Sequence, residues 1–414
     1  MESFKSTKNK DQMLKTQVST MISREKYSAF TKDDLFRMII DHIVKSEKEF
    51  EEKKPETDEK MPTHLKVIFL KDDSKMLTPL NIFDRLLEIS TFNRWINILI
   101  SKWALTGYKT ADESLYVLEL TEKAYDRLAK FFVILEEGSW LVYTLEDYRT
   151  VNKTIDRIVK HLPELNIMWF PPPDLELITN DLFSETGFGG FTSKYRPVLH
   201  DKKVTIRIFG GDRDDLIIAR NHFQAEPTRI RFESKGSPTT AVVGSISPGK
   251  LDISSVLAGY EEKLFSIIES IKRDFFRRES QNFGLINGYE RRIFTDEEGN
   301  VISQAPSIFS AVILTVNEPM RQKSDISMDN LIERLKTTFL DNESRYVGYE
   351  WDNGNLEVVD LITGEPFQVV CEDWQFIIYP KEETHAATVR EACEQITQYV
   401  IPSCTLSVKS EELP

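Results

Sequence analysis

Asp215, Glu233 and Lys235 have the side-chain types that hold Mg2+ and orient a water for phosphodiester cleavage. The two carboxylates would ligate the hard cation through oxygen, and the lysine of FESK would balance developing negative charge. The local pattern also has a simpler reading. In GGDRDD, Gly210 and Gly211 make a turn from strand to helix, and Asp212, Asp214 and Asp215 complement the positive end of the helix that follows. That helix, DDLIIARNHF, separates the two parts of the set and fits a nuclease topology badly. A metal-dependent nuclease is therefore the third of three functional readings.

Other chemistries find less. His42, His64, His161, His200, His222 and His385 show neither HxxxH nor HExxH spacing, so local sequence builds no zinc site, and His222 reads as structural. Cys371, Cys393 and Cys404 are odd in number and widely spaced, which argues against a disulfide framework or a CxxC metal site. The stretch ETGFGGFTSKYRP, residues 185 to 197, has glycines that could bring backbone N–H groups to an anion. It lacks both the P-loop spacing and a strand leading in, and reads as a connector with Lys194 and Arg196 on its surface. No nucleophile-elbow motif occurs, and neither a cofactor nor a resident metal is expected.

The elements that must position such residues follow from length and patterning. At 414 residues the chain exceeds the usual size of one hydrophobic core, so two or three domains are expected. A net charge of −14 makes the average surface repel nucleic acid, so any DNA contact must come from a local patch. The polar start MESFKSTKNKDQMLKTQ has no apolar signal core, and no run approaches a membrane span. A cytoplasmic protein with no membrane partner is the expectation.

Residues 1–60 read as a polar tail, an amphipathic helix capped by Thr31 with Leu35, Met38, Ile39 and Ile43 on one face, and a charged linker from Glu49 to Pro62. Residues 138–280 alternate as an α/β domain of βαββα order, with a parallel crossover between WLVYTLE and NIMWFPPP. Residues 281–414 repeat a βαββαβ-like order. The predicted class is α+β, with ferredoxin-like units of the split-βαβ type.

Between them, residues 61–137 give a short strand, helix 79–89 with Pro79 at its first position, and a second helix over 91–105. The second helix sets Phe92, Trp95, Ile96, Leu99, Ile100 and Trp103 on one face, with Asn93, Arg94, Asn97 and Ser101 opposite. A hairpin over 107–120 follows, and Leu120, Thr121, Glu122 and Lys123 open a further helix, EKAYDRLAKFFVIL. This series, about a fifth of the chain, resembles a winged helix-turn-helix domain, with Ala124 where that family usually has glycine. The resemblance implies that the second helix enters the major groove of double-stranded DNA. Asn93, Arg94, Asn97 and Ser101 would then face the bases, with Lys102 and Lys109 nearest the phosphates.

Ten basic and eleven acidic side chains between Met61 and Glu137 leave this region without a net positive field. The leading reading is a DNA-binding transcriptional regulator whose C-terminal domains sense a ligand or dimerise. The alternative is a protein-interaction module without DNA binding, or a homodimer formed through Trp95 and Trp103.

Overall fold

The structure is a computed structural model. It describes residues 23–52 and 65–412 apart from short interruptions, the longest of which are 285–290 and 296–300. The chain is α+β, as its patterning requires, and forms two compact units. One comprises Met1–Ile167, Thr240–Gly244 and Lys250–Leu264; the other comprises Met168–Thr239, Ser245–Gly249 and Phe265–Pro414. These replace the boundaries near residues 60, 137 and 280, for reasons visible in the strand pairing.

In the first unit, α1 (Lys32–Glu52) follows a short 3-10 helix at Arg24–Ala29. Next come β1 (Leu65–Asp72), α2 (Ile82–Ser90), α3 (Arg94–Lys102), β2 (Trp103–Lys109), β3 (Leu115–Glu122), β4 (Arg127–Glu136) and β5 (Ser139–Thr144). After α4 (Tyr148–Lys153), α5 (Ile155–His161) and β6 (Leu165–Ile167), the unit is completed by β10 (Lys250–Val256). The strands pair antiparallel in the order β10, β1, β5, β4, β3, β2, with β6 also on β1. β5 and β6 flank β1 and each run antiparallel to it, so they are parallel to each other, and α4 and α5 make the expected parallel crossover with β1 between its two strands.

The helix expected from residue 121 is instead the strand β4. Ala129, Phe131 and Val133 pack beneath Leu86, Ile96 and Leu99 of the helices, whereas Phe132 meets Phe30 on the opposite face. A strand buried on both faces reads as a continuous apolar run, which periodicity cannot tell from a buried helix. Residue 137 therefore lies between the paired strands β4 and β5.

The N-terminal residues are also part of this unit. Tyr27, Phe30, Leu35, Ile39 and Ile43 are buried, so the layer covering the second sheet face begins at the 3-10 helix. Thr31 caps α1 as expected: its hydroxyl accepts the Asp34 N–H at 3.2 Å, and Asp34 accepts the Thr31 N–H at 3.0 Å. Residues 1–22 of the expected tail and most of the linker lie outside the described residues.

In the second unit, α6 (Pro172–Phe183) and α7 (Arg213–Phe223) accompany three strands in the order β8 (Ile206–Gly210), β7 (Thr186–Tyr195), β9 (Pro227–Lys235). The glycine-rich stretch expected as a connector is thus a strand, β7, hydrogen-bonded on both sides. The long helix α8 (Glu261–Phe283) contributes Ile271, Phe275 and Phe283 to the interior.

A six-stranded antiparallel sheet completes the unit. Its strands are β11 (Ile308–Val316), β12 (Tyr346–Asp352), β13 (Asn355–Asp360), β14 (Pro366–Glu372), β15 (Gln375–Pro380) and β16 (Cys404–Glu412). Their order is β12, β13, β14, β15, β11, β16, with α9 (Met328–Leu340) and α10 (Ala386–Tyr399) packed on the core face. β11 pairs antiparallel with both β15 and β16. β15 and β16 are therefore parallel to each other with β11 between them and α10 as their crossover, which is the expected split βαβ arrangement, in a sheet of six strands where the βαββαβ order has four. One of the two added strands arises because FQVVCEDWQFIIYP is a hairpin turning at Asp373 and Trp374, both at positive φ.

Candidate nucleic-acid interface

The helix pair α2–α3 is present as the sequence indicates, and the segment that leads into it is held in place by side-chain acceptors. Asp72 accepts N–H groups from Ser74, Lys75 and Leu77 at 3.0, 3.0 and 2.9 Å, fixing the turn that leads to α2. Burial pushes its carboxyl up while these donors pull it down. Gly107 admits this segment against β2: a Cβ there would lie 1.9 Å from the Pro79 carbonyl oxygen.

The residues expected to meet DNA separate into two groups. Arg94, Asn97, Ser101 and Lys102 on α3 and Lys109 on β2 are exposed. Asn93 is not part of that face. It is buried at the helix N-cap, where its Oδ1 accepts the N–H groups of Trp95 and Ile96 at 3.0 and 3.2 Å. Its acceptor serves the helix and cannot read an adenine.

The hairpin exists, formed by β2 and β3, but it is the outer pair of a larger sheet. Its tip is tied down: Ala111 N–H donates to the Phe30 carbonyl at 3.1 Å, and Asp112 lies 3.9 Å from the Lys32 ammonium. The Lys123 ammonium, expected in the first turn of a helix, donates to the Ile100 carbonyl at 2.8 Å. Of the two tryptophans expected to support dimerisation, Trp103 is buried and Trp95 is 52% exposed. The Trp95 ring stacks on His161 at 6.1 Å, and the Arg157 guanidinium lies 5.8 Å from its centroid.

Sequence reasoning missed a buried polar network on the opposite face of the same sheet. Glu119 of β3, 1% exposed, faces Lys130 of β4 at 3.9 Å. It accepts from the Tyr27 hydroxyl at 2.6 Å and from Arg24 Nε at 2.7 Å. Burial pushes the Tyr27 hydroxyl up and, with the neighbouring carboxylate, discourages phenolate formation. Burial also lowers the Lys130 ammonium and raises the Glu146 carboxyl. Such shifts can mark a functional site. Here Arg24 and Tyr27 clamp the N-terminal segment to Glu119 and Lys130 of the sheet, and Glu146 accepts the Lys130 N–H at 3.3 Å. The available signal was weak: a Glu and a Lys on adjacent strands become partners only once β4 is recognised as a strand.

In the second unit the proposed nuclease set is divided by a sheet. A Cβ on Gly210 would meet Phe191 and Asp215, which places Asp215 on the α7 side. Ile230 and Phe232 are buried on that side, so Glu233 points to the other with Arg229 and Arg231. Glu233 pairs with Arg231 at 3.3 Å, and the Lys235 side chain lies outside the described residues. Asp215 instead accepts the Gly211 N–H at 2.8 Å, while its own N–H donates to Asp212 at 2.9 Å. Among the described residues, no group of three or more His, Cys, Asp or Glu could hold a metal ion.

His222 is exposed rather than packed in a core. His385 caps the start of α10 beside Glu365, which accepts the His385 N–H at 2.9 Å and the Thr388 hydroxyl at 2.5 Å. Cys371 is half-buried with its thiol pushed up to about 12 by burial, and Cys393 and Cys404 are buried with thiols pushed higher.

No family model matches the chain, and no similar curated protein is found. No described helix is long and apolar enough to cross a membrane.

Proposed function

We propose that this is a regulatory interaction protein whose first unit docks a protein partner on the α2–α3 side of its sheet, a second copy being the simplest partner. The observation that carries this reading is Trp95, half-exposed on a rigid helix although tryptophan is costly to leave in water. Met76, Leu80 and Leu87, on or just before α2, are also exposed. Sedimentation velocity on the full chain tests it: a concentration-dependent dimer that Trp95→Ala abolishes is the expected result. A chain that remains monomeric across the concentration range defeats self-association.

The second reading, DNA-binding transcriptional regulation, is favoured by the exposure of Arg94, Asn97, Ser101 and Lys102 on α3. Arg can pair with guanine and Asn with adenine in the major groove. Asp84 and Glu88, exposed on α2, and the tethered hairpin tip count against it. Titration of duplex DNA at several salt concentrations distinguishes the two readings. Salt-dependent binding weakened by Arg94→Glu supports the regulator, and an unchanged affinity in that variant removes α3 from the interface.

A further inference from the structure

In the second unit, the face of the β8–β7–β9 sheet away from α7 carries an unusual combination of side chains. Antiparallel register sets Phe209, Thr192 and Arg229 in one row, because Thr192 pairs with both of the others. Directly paired residues share a face, and residues two apart along a strand do too. Arg207, two before Phe209, and Arg231, two after Arg229, therefore lie on the same face. Phe209 is 72% exposed, and Arg207, Arg229 and Arg231 are exposed around it. Their spacing is set by the sheet: adjacent rows on one face are about 7 Å apart along a strand, and neighbouring strands about 5 Å.

Two details show how this face is shaped. A bulge in β7 between its pairings with Arg231 and Phe232 leaves Gly189 and Gly190 under the arginine row. A Cβ at Gly189 would lie 3.2 Å from Arg231 Cγ and 3.0 Å from Glu233 Cγ, and Gly190 has a φ of 121° that only glycine adopts readily. The glycines of the GFGG stretch thus give these side chains room to lie across the strand. Arg229 is aimed by its Nε, which donates to the Ser245 hydroxyl at 2.8 Å.

We infer that this face binds single-stranded nucleic acid, with Phe209 stacking on a base and Arg207, Arg229 and Arg231 meeting the phosphates. An exposed aromatic ring bordered by guanidinium groups provides the two elements of such a platform, a π-face and a cationic track. The opposed charge of Glu233, already engaged by Arg231, is the one described carboxylate in these rows. Because β8 is the edge strand, a nucleotide chain can approach the ring from the side. This site is independent of α3 and of either reading of the first unit.

Fluorescence anisotropy of the full chain with a labelled oligo-dT and an oligo-rU, at several salt concentrations, tests the inference. Affinity for at least one strand should fall with salt, and Phe209→Ala should weaken it roughly 5- to 100-fold, the range for loss of one stacked base. Arg229→Glu with Arg231→Glu should weaken it further and flatten the salt dependence. Arg94→Glu should leave it unchanged. All these positions are exposed, and circular dichroism of each variant checks that it remains folded. Absence of binding by folded wild-type protein, or equal affinity in Phe209→Ala, overturns the proposal. Polyphosphate or polyglutamate bound as tightly as the strands would also overturn it, as would an oligo-dT site lost in Arg94→Glu.

Discussion

The sheet of the first unit and the six-stranded sheet of the second solve the same problem differently. In the first, helices cover both faces, and the strands between them bury residues in alternate directions, as in Phe131 and Phe132. In the second, α9 and α10 cover one face, while Val347, Tyr349 and Trp351 of the edge strand β12 remain about half-exposed on the other. Covering both faces brings charge inside: Glu119 and Lys130 sit under the N-terminal layer and must satisfy one another there. The open face can carry aromatic side chains that contribute little to stability and remain available for contact.

The comparison breaks first at Glu119. Replacing it with alanine leaves Lys130 and the Tyr27 hydroxyl buried without their shared partner and should cost about 3–5 kcal/mol, measured by urea unfolding. A loss below about 1 kcal/mol would mean that the N-terminal layer is not held by this network. Gly107→Ala should follow, at about 1–3 kcal/mol, because the new Cβ meets the Pro79 carbonyl rather than a side chain that can move. Asn93→Ala should cost about 1 kcal/mol through loss of the cap. Unchanged stability in that variant would return Asn93 to the list of candidate base readers.

Glu146 sharpens the comparison through pH. Its carboxyl is raised by burial, so the folded chain holds that proton more tightly than the unfolded one. The protonated form therefore favours folding at low pH. The penalty on the ionised form grows as pH rises from the ordinary carboxylate value, about 4.3, through the raised one. Glu146→Gln should gain stability relative to the wild type between pH 4 and pH 7, read from paired denaturation curves; a constant difference contradicts the assignment. The smallest effect belongs to the open face, where Trp351→Ser should change stability by no more than about 0.5 kcal/mol. A larger loss in thermal denaturation would show that Trp351 packs more tightly than its exposure indicates.

Several elements were legible because their causes are local. The Thr31 cap, the apolar stripe of α1 and the α2–α3 pair depend on side chains a few residues apart, and all three are present. The face of α3 was legible except at Asn93, whose side chain can either cap or contact, a choice set by where the helix begins. The nuclease set looked plausible because sequence gives residue types without saying which side of a sheet each one takes. The arginine row went unnoticed for the same reason: Arg207, Arg229 and Arg231 lie on two strands brought together by a third that was expected to be a loop.

The sequence by itself determined the α+β class, the Thr31 cap, the glycine turn before α7 and the absence of short-range metal or nucleophile motifs, because backbone preference and hydrogen bonding act over a few residues. Only the tertiary structure decided that residues 127–136 form a strand, that the N-terminal segment closes the first sheet, and that Asp215 and Glu233 stand on opposite sides of another. Those outcomes depend on which distant strands pair. Burial on both faces erases the periodicity that would have announced them.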